Sequence, residues 1–188
     1  LHYRLKKLSE KGAYDLIQKP VEEFLEYERH AAIKIRQLTG DQPYLIQLLC
    51  HALVDHCNES RKSYVTVNDI NSVIREVMQT GEIHFGWLWE QLSLEEQIAL
   101  SALAEGSKDE GRPLSFDDIR DLYSYYQLPC KQQHIEAPLQ ALHDADIIEL
   151  ADDKRYTPAP RFSISVGLMR MWLRKEKPLA AVLEANEQ

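Results

Sequence analysis

The chain has 188 residues, of which 44% are hydrophobic and 28% charged, and a formal net charge of −8 at pH 7. This composition is typical of a globular protein that buries a core without disulfides or metals. The acidic charge disfavours nucleic-acid binding, which depends on clustered Lys and Arg. The odd cysteine count and the absence of a long apolar run predict a reduced, cytoplasmic protein without membrane contact.

Helical periodicity dominates the first part of the chain. Ser9 is placed to cap a helix that stops before Pro20. A second helix is predicted over about residues 28–38, with Gly40 as the residue that ends it. These signals predict that the chain begins as a small helical bundle.

The next helix is predicted to begin at Asp41, which can serve as its N-cap. Pro43 falls in the first turn, where a missing N–H costs nothing. Residues 45–54 are apolar around much of the helix circumference, which predicts a central, buried helix.

A short extended stretch at residues 64–67 precedes a fourth helix. Asn68 or Asp69 is expected to cap that helix, and Thr80-Gly81 to end it. We therefore predict that residues 1–81 form one helical unit and that residues 82–92 connect it to a second.

The second unit is predicted to span residues 93–176, followed by a C-terminal helix or tail over residues 177–188. Ser93 and Glu96 form a capping box for its first helix, and Ser115 can cap the second. A third helix covers about residues 131–145, where Pro138 should either kink it or mark its first turn.

A strand at residues 147–150, a polar turn and a returning strand at residues 161–166 follow the three helices. Three helices followed by a hairpin is the winged-helix order, and the hairpin needs the helices beneath it. The predicted fold class is mainly α: a helical bundle, then a winged-helix domain with a small two-stranded β-wing.

Residues 38–50 read Leu-Thr-Gly-Asp-Gln-Pro-Tyr-Leu-Ile-Gln-Leu-Leu-Cys. This stretch closely resembles the Leu-Thr-Gly-Gly-x-Pro-Tyr-Leu segment in the helical lid of bacterial and archaeal AAA/STAND-type P-loop ATPases. Residues 8–20 are similar to the segment that follows the last core strand of such ATPases, and residues 161–173 to the tail of their winged helix. The resemblance therefore covers nearly the whole chain.

The resemblance implies that the first unit is an ATPase lid, in which a Gly-x-Pro element starts a helix and its Pro packs near adenine. Carried over by position, Pro43 and Tyr44 are the hypothetical nucleotide contacts. Asp41 stands where the family usually has Gly, and it brings a negative charge near the phosphates or ribose. The preference of Pro for the first turn of a helix also explains Pro43 without a nucleotide.

The chain has no P-loop, because none of its glycines is followed by Lys. We therefore expect no catalytic residue in this segment. We expect ATP and Mg²⁺ to bind only when an N-terminal ATPase core is present. The start at Leu1, without Met, suggests that the segment belongs to a longer protein. The implied function is regulatory, with nucleotide state biasing the docking of the winged helix to a protein partner.

Two groups of residues only resemble chemical sites. Cys50 and Cys57, with two histidines between them, lack the spacing of a zinc site and are expected to be core cysteines. Cys130 has His134 four residues later, but such a pair without an orienting acid is weak evidence for a nucleophile. We expect no metal in this segment.

The alternative function is that of a winged-helix DNA-binding transcriptional regulator. Its candidate contacts are Lys131, Gln132 and Gln133 at the start of the third helix, and Lys154 and Arg155 in the wing. Carboxylates on the second helix and in the wing oppose the gain from phosphate contacts. Protein docking is therefore preferred, and nucleic acid remains a disfavoured partner.

Overall fold

The computed structural model describes residues 7–107, 111–151 and 160–186. Helices dominate these residues, accompanied by two small sheets, so the mainly α fold class is confirmed. The chain divides into two compact units, Leu1–His84 and Phe85–Gln188. Within the described ranges, no helix combines the length and the apolar character needed to cross a bilayer.

The first unit consists of helices and one short pair of strands. In chain order, its described elements are α1 (Glu10–Gln18), a 3-10 turn (Lys19–Val21), β1 (Glu26–Tyr27), α2 (Arg29–Thr39), α3 (Pro43–Ser60), β2 (Tyr64–Val65) and α4 (Val67–Glu90), of which the residues from Phe85 onward belong to the second unit. The strands β1 and β2 pair in parallel. The predicted extended stretch at residues 64–67 is therefore a strand only at its first two residues, because Val67 already belongs to α4.

Local signals set most helix ends in this unit. The Ser9 hydroxyl accepts a hydrogen bond from the amide of Gly12, which confirms Ser9 as the cap of α1. Gly40 ends α2 in a left-handed conformation, as predicted. The core of the unit is formed by fully buried aliphatic side chains of α1, α2 and α3, which include Ile17, Ile35, Leu45, Ile46, Leu49 and Leu53.

Two predictions for α4 were wrong. The helix does not end at Thr80-Gly81 but continues to Glu90, so most of the expected connector is helical. A helical Gly costs only about 1 kcal/mol relative to Ala, and Phe85 and Trp89 are buried on the later turns. At the other end, α4 begins at Val67, so Asn68 and Asp69 lie inside the helix and neither is its cap. The residue before the helix is Thr66, whose amide and hydroxyl donate to the Asp69 carboxylate.

After the end of α4, the described residues of the second unit form three helices, then a hairpin, then two further helices. After α4, its elements are α5 (Leu94–Gly106), β3 (Leu114–Ser115), α6 (Phe116–Tyr125), α7 (Gln132–Asp144), β4 (Ile148–Ala151), β5 (Arg161–Ile164), α8 (Gly167–Glu176) and α9 (Leu179–Glu184). The sheet order is β3-β5-β4, with both pairings antiparallel. The predicted hairpin is formed by β4 and β5. The prediction of two strands missed β3, whose residues pair with Arg161 and Phe162.

Capping boxes begin two helices of this unit. Ser93 and Glu96 exchange hydrogen bonds at the start of α5, and Ser115 and Asp118 do the same at the start of α6. Both serine caps are confirmed. Pro138 lies inside α7 and does not mark its first turn. Fully buried side chains of α5, α6 and α7 form the core, among them Leu100, Leu103, Ile119, Ile135 and Leu142.

Candidate functional site

The turn before α3 contains two consecutive residues in the left-handed conformation. Gly40 has φ 58° and Asp41 has φ 57°. The chain then becomes extended at Gln42, which is the N-cap of α3, and Pro43 is the first residue of the helix. Asp41 is thus not the helix cap that the sequence predicted. A non-glycine residue at this φ is strained, although Asp tolerates it better than most.

Arg36 holds the Asp41 side chain in this turn. Its Nε and Nη2 atoms donate to the two carboxylate oxygens of Asp41, each at 2.9 Å, and both side chains are only 19% exposed. Hydrogen bonds to Asp41 raise the pKa of Arg36 further above its usual range. The bidentate geometry is the strong form of this ion pair, so it opposes the strain at Asp41 and neutralises its charge.

The same guanidinium reaches α1. Its Nη1 atom donates to Glu10 at 2.7 Å, and its Cζ lies 4.8 Å from the centre of the Tyr14 ring. The backbone also ties this region together, because the amide of Leu8 donates to the carbonyl of Asp41 at 2.9 Å. The turn before α3 is therefore attached both to α1 and to the segment that precedes α1.

Pro43 and Tyr44 both have solvent-accessible surface at the start of α3. Pro43 is half-buried, whereas Tyr44 is 46% exposed. The Tyr44 ring lies 5.5 Å from the ring of His84, at an interplanar angle of 49°. The two predicted nucleotide contacts are consecutive residues beside the Arg36–Asp41 pair, and both can be reached by a molecule that approaches this helix end.

A second charged cluster surrounds Asp69 in the first unit. The Asp69 side chain is 3% exposed and accepts hydrogen bonds from the Thr66 amide, the Thr66 hydroxyl and Lys62, at 2.9, 2.6 and 2.7 Å. The His56 ring is 3.2 Å away. Burial alone raises the pKa of Asp69, but these hydrogen bonds outweigh it and hold the pKa well below its usual range. The cluster joins α3 to the start of α4.

The three cysteines lie in different surroundings. Cys57 is buried, Cys50 is half-buried and Cys130 is exposed, and all three are free thiols. Burial raises the pKa of Cys50 to about 11, beside the buried hydroxyl of Tyr27. Across residues 7–107, 111–151 and 160–186, no group of three or more His, Cys, Asp or Glu side chains is placed to hold a metal ion.

The candidate DNA contacts are only partly described. Lys131 is the N-cap of α7, and Gln132 and Gln133 are its first two residues, all exposed. The Gln132 side-chain amide donates to Glu136 at 2.6 Å, so a carboxylate lies beside the residues that were expected to contact DNA bases. Lys154 and Arg155 lie outside the described residues.

The start of α7 forms one wall of a groove in the second unit. The opposite wall is the start of α5, and the volume of the groove is about 600 Å³. Its apolar lining comes from Leu94, Ile98, Leu128, Ala137, Pro138 and Ala141, and its polar lining includes Glu95, Glu96, Gln133 and His134. We call this surface the α5–α7 groove. Gln133, a candidate DNA contact, thus lines a mainly apolar depression.

The sequence did not predict the Arg36–Asp41 pair, the Asp69 cluster or the α5–α7 groove. The sequence signal for the Arg36–Asp41 pair was weak: an Arg lies shortly before the turn, and Asp41 stands where the family pattern has a second Gly. For the second, the capping-box spacing between Thr66 and Asp69 was a usable signal. The groove depends on how two helices pack, which a single helix pattern does not reveal.

Comparison with known proteins does not assign the chain to a family. No protein-family model matches it, and no curated protein matches it either. The resemblance of residues 38–50 to an ATPase lid therefore stays a prediction.

Proposed function

We propose that this chain is the C-terminal lid and winged-helix region of an ATP-binding ATPase of the AAA/STAND type. In this proposal, the first unit covers a nucleotide that is bound by an N-terminal ATPase core. The second unit docks to a protein partner in a nucleotide-dependent manner. The catalytic groups belong to the proposed core.

The observation that carries the proposal is the pair of left-handed residues, Gly40 and Asp41, just before Pro43. The lid segment that residues 38–50 resemble has Gly at both of these positions. Two consecutive left-handed residues give a physical reason for two glycines, because Gly adopts this conformation without a steric penalty. Asp41 adopts a conformation that Gly would adopt without strain, so its replacement of the usual Gly does not argue against the resemblance.

The position of the predicted contacts supports a lid role. Pro43 and Tyr44 present apolar surface at the start of α3, where a purine base can pack. The negative charge that Asp41 brings near a nucleotide is compensated by Arg36, which binds both of its oxygens. ATP and Mg²⁺ belong to the proposed core, and the lid contributes packing.

The second unit supports a protein-docking role better than DNA reading. The face of α7 that includes Gln133 lines a mainly apolar groove, and the charged residues that line this groove within the described chain are carboxylates. Carboxylates repel phosphates, whereas exposed apolar surface is typical of protein interaction sites. In this proposal, the lid makes different contacts with and without nucleotide. This difference shifts the fraction of molecules whose second unit can dock to the partner. The three free thiols are compatible with a cytoplasmic location.

The proposal is tested by measuring how tightly the complete gene product, which includes the proposed core, binds ATP. Pro43→Ala is expected to weaken binding of a fluorescent ATP analogue roughly threefold to tenfold, the cost of one lost apolar contact. Pro20→Ala is the matched control, since Pro20 is an exposed proline of the same unit. Tyr44→Ala provides a second variant in the event that Pro43→Ala alters the helix start. Unchanged ATP affinity in both variants would refute the lid role.

A further inference from the structure

The α5–α7 groove continues into a second depression on the same unit. The second depression, of about 550 Å³, is lined by Tyr126, Gln127 and Leu183, and it shares Leu94, Ile98 and Leu128 with the first. The shared residues make the two depressions one continuous surface along α5. Leu94, which lines both depressions, is 39% exposed although it is a large aliphatic side chain. The first depression is mainly apolar and the second is about equally polar and apolar, so the surface suits an extended ligand whose apolar anchors lie in the first depression.

The charge of the surface restricts the chemistry of the ligand. Among the described residues that line the two depressions, the formally charged ones at neutral pH are Glu95 and Glu96, both carboxylates. Glu95 is exposed, whereas the Glu96 carboxylate accepts a hydrogen bond from the Ser93 amide at 2.7 Å in the capping box. An occupant with Lys or Arg beside its apolar anchors complements this charge.

We propose that the α5–α7 groove binds a basic amphipathic helix of a protein partner, with aliphatic anchors on one face and Lys or Arg beside them. The inference rests on the proposed function in so far as that function gives the second unit a docking role. The helix lays its apolar face along Leu94 and Ile98, in the helix-in-groove mode with anchors at i, i+3 or i+4, and i+7. Its cations face the exposed carboxylate of Glu95.

The test uses the 188-residue chain and two synthetic helical peptides with identical Leu positions. One peptide has Lys and the other Glu at the positions flanking the Leu residues, and binding is measured by fluorescence anisotropy at physiological salt. The Lys peptide is expected to bind roughly tenfold or more tightly than the Glu peptide, because only it complements the carboxylates. NMR shift changes should centre on Leu94, Ile98 and Ala137.

A matched pair of variants on α7 locates the site. Ala137→Lys places a long cation at an exposed position that lines the groove, and it should weaken binding of the Lys peptide roughly tenfold. Gln140→Lys adds the same charge at an exposed position of the same helix that is not among the lining residues, and it should leave the affinity nearly unchanged. Glu95→Lys should reverse the preference between the two peptides.

Three results would overturn the inference: equal binding of both peptides, equal effects of Ala137→Lys and Gln140→Lys, or shift changes outside the groove. A short DNA duplex that produces the same shift changes would also overturn it, in favour of nucleic acid. The ATP experiment on Pro43 tests the other unit. A loss of ATP affinity there, together with no peptide binding here, would remove this inference and leave the lid proposal standing.

Discussion

Arg36 binds both carboxylate oxygens of Asp41, at 2.9 Å each, across a turn in which Asp41 has a positive φ. The ion pair and the strained backbone occur at the same residue. A carboxylate fixed by two parallel hydrogen bonds limits the rotation of its own side chain and stabilises the turn around it. The start of α3, with Pro43 and Tyr44, directly follows this turn.

The cost of replacing Asp41 should depend on the backbone freedom of the new residue. Asp41→Ala removes the carboxylate but keeps a Cβ in the left-handed conformation, whereas Asp41→Gly removes both. We expect Asp41→Gly to be the more stable of the two by about 1 kcal/mol, because the positive φ penalises Ala. The slowest-exchanging amides of the first unit give the unfolding free energy of each variant. Equal stability of the two variants would mean that the turn does not require a positive φ.

Removing the Asp69 charge should destabilise the first unit and change its response to acid. Asp69→Asn is expected to lower the unfolding free energy at pH 7 by about 2–3 kcal/mol, since it weakens charge-assisted hydrogen bonds to a buried group. The folded-state pKa of Asp69 is depressed. Its contribution is therefore fully present above the unfolded pKa of about 3.9 and is lost as pH falls through the lower folded pKa.

The difference in stability between the native chain and Asp69→Asn should accordingly shrink as pH is lowered below about 4. Hydrogen exchange or urea titration followed by circular dichroism measures this difference. Val73→Ala is the control, because Val73 is buried on the same helix and carries no charge. A gap between the native chain and Val73→Ala that shrinks in the same way would show that the effect is not due to the carboxylate.

Two glycines of the second unit should respond in opposite directions to the same substitution. A Cβ at Gly106 would lie 2.4 Å from Cδ1 of Leu114 and 2.9 Å from Cδ1 of Leu122, so Gly106→Ala should cost about 1–3 kcal/mol through overpacking. A Cβ at Gly86 meets nothing within 4 Å, and Gly86→Ala should stabilise the helix by up to about 1 kcal/mol.

Both changes can be measured by tryptophan fluorescence. All three tryptophans, Trp87, Trp89 and Trp172, belong to this unit, so the midpoint of the fluorescence change in urea reports the stability of each variant. A stabilising Gly106→Ala would contradict the close packing of the α5 end.

The thiols should differ in their rates of alkylation. Cys130 is exposed and should react first with iodoacetamide, whereas Cys57 is buried. Cys50 has a pKa of about 11 because of burial, so little of it is thiolate at pH 8. Its labelling rate should rise nearly tenfold per pH unit up to about pH 10, as the thiolate fraction does. Mass spectrometry of the digested protein separates the three sites, and rapid labelling of Cys50 at pH 7 would contradict its surroundings.

The sequence predicted what depends on neighbouring residues. Ser9, Ser93 and Ser115 cap helices because each hydroxyl needs only an amide three residues later. Pro43 occupies the first position of α3 for a similarly local reason. The helical character of the chain follows from the same short-range signals.

Features that join distant segments were not predicted. Tyr27 pairs with Val65 and Leu114 with Phe162, and strands of two residues carry almost no pattern of their own. The end of α4 was placed too early because the burial of later side chains outweighs the low helix propensity of Gly81. At the candidate site, Pro43 and Tyr44 were named from the sequence. The Arg36–Asp41 pair was not, because it depends on how the turn directs the Asp41 side chain.

The Arg36–Asp41 pair also couples two sequence positions that a substitution table would treat as independent. With glycine at position 41 the turn closes without strain, and position 36 loses the ion-pair constraint. With aspartate there, only a side chain with a planar, two-pronged cation satisfies both oxygens at once, and lysine does not. The acceptable choices at residue 36 are therefore set by its neighbour across the turn.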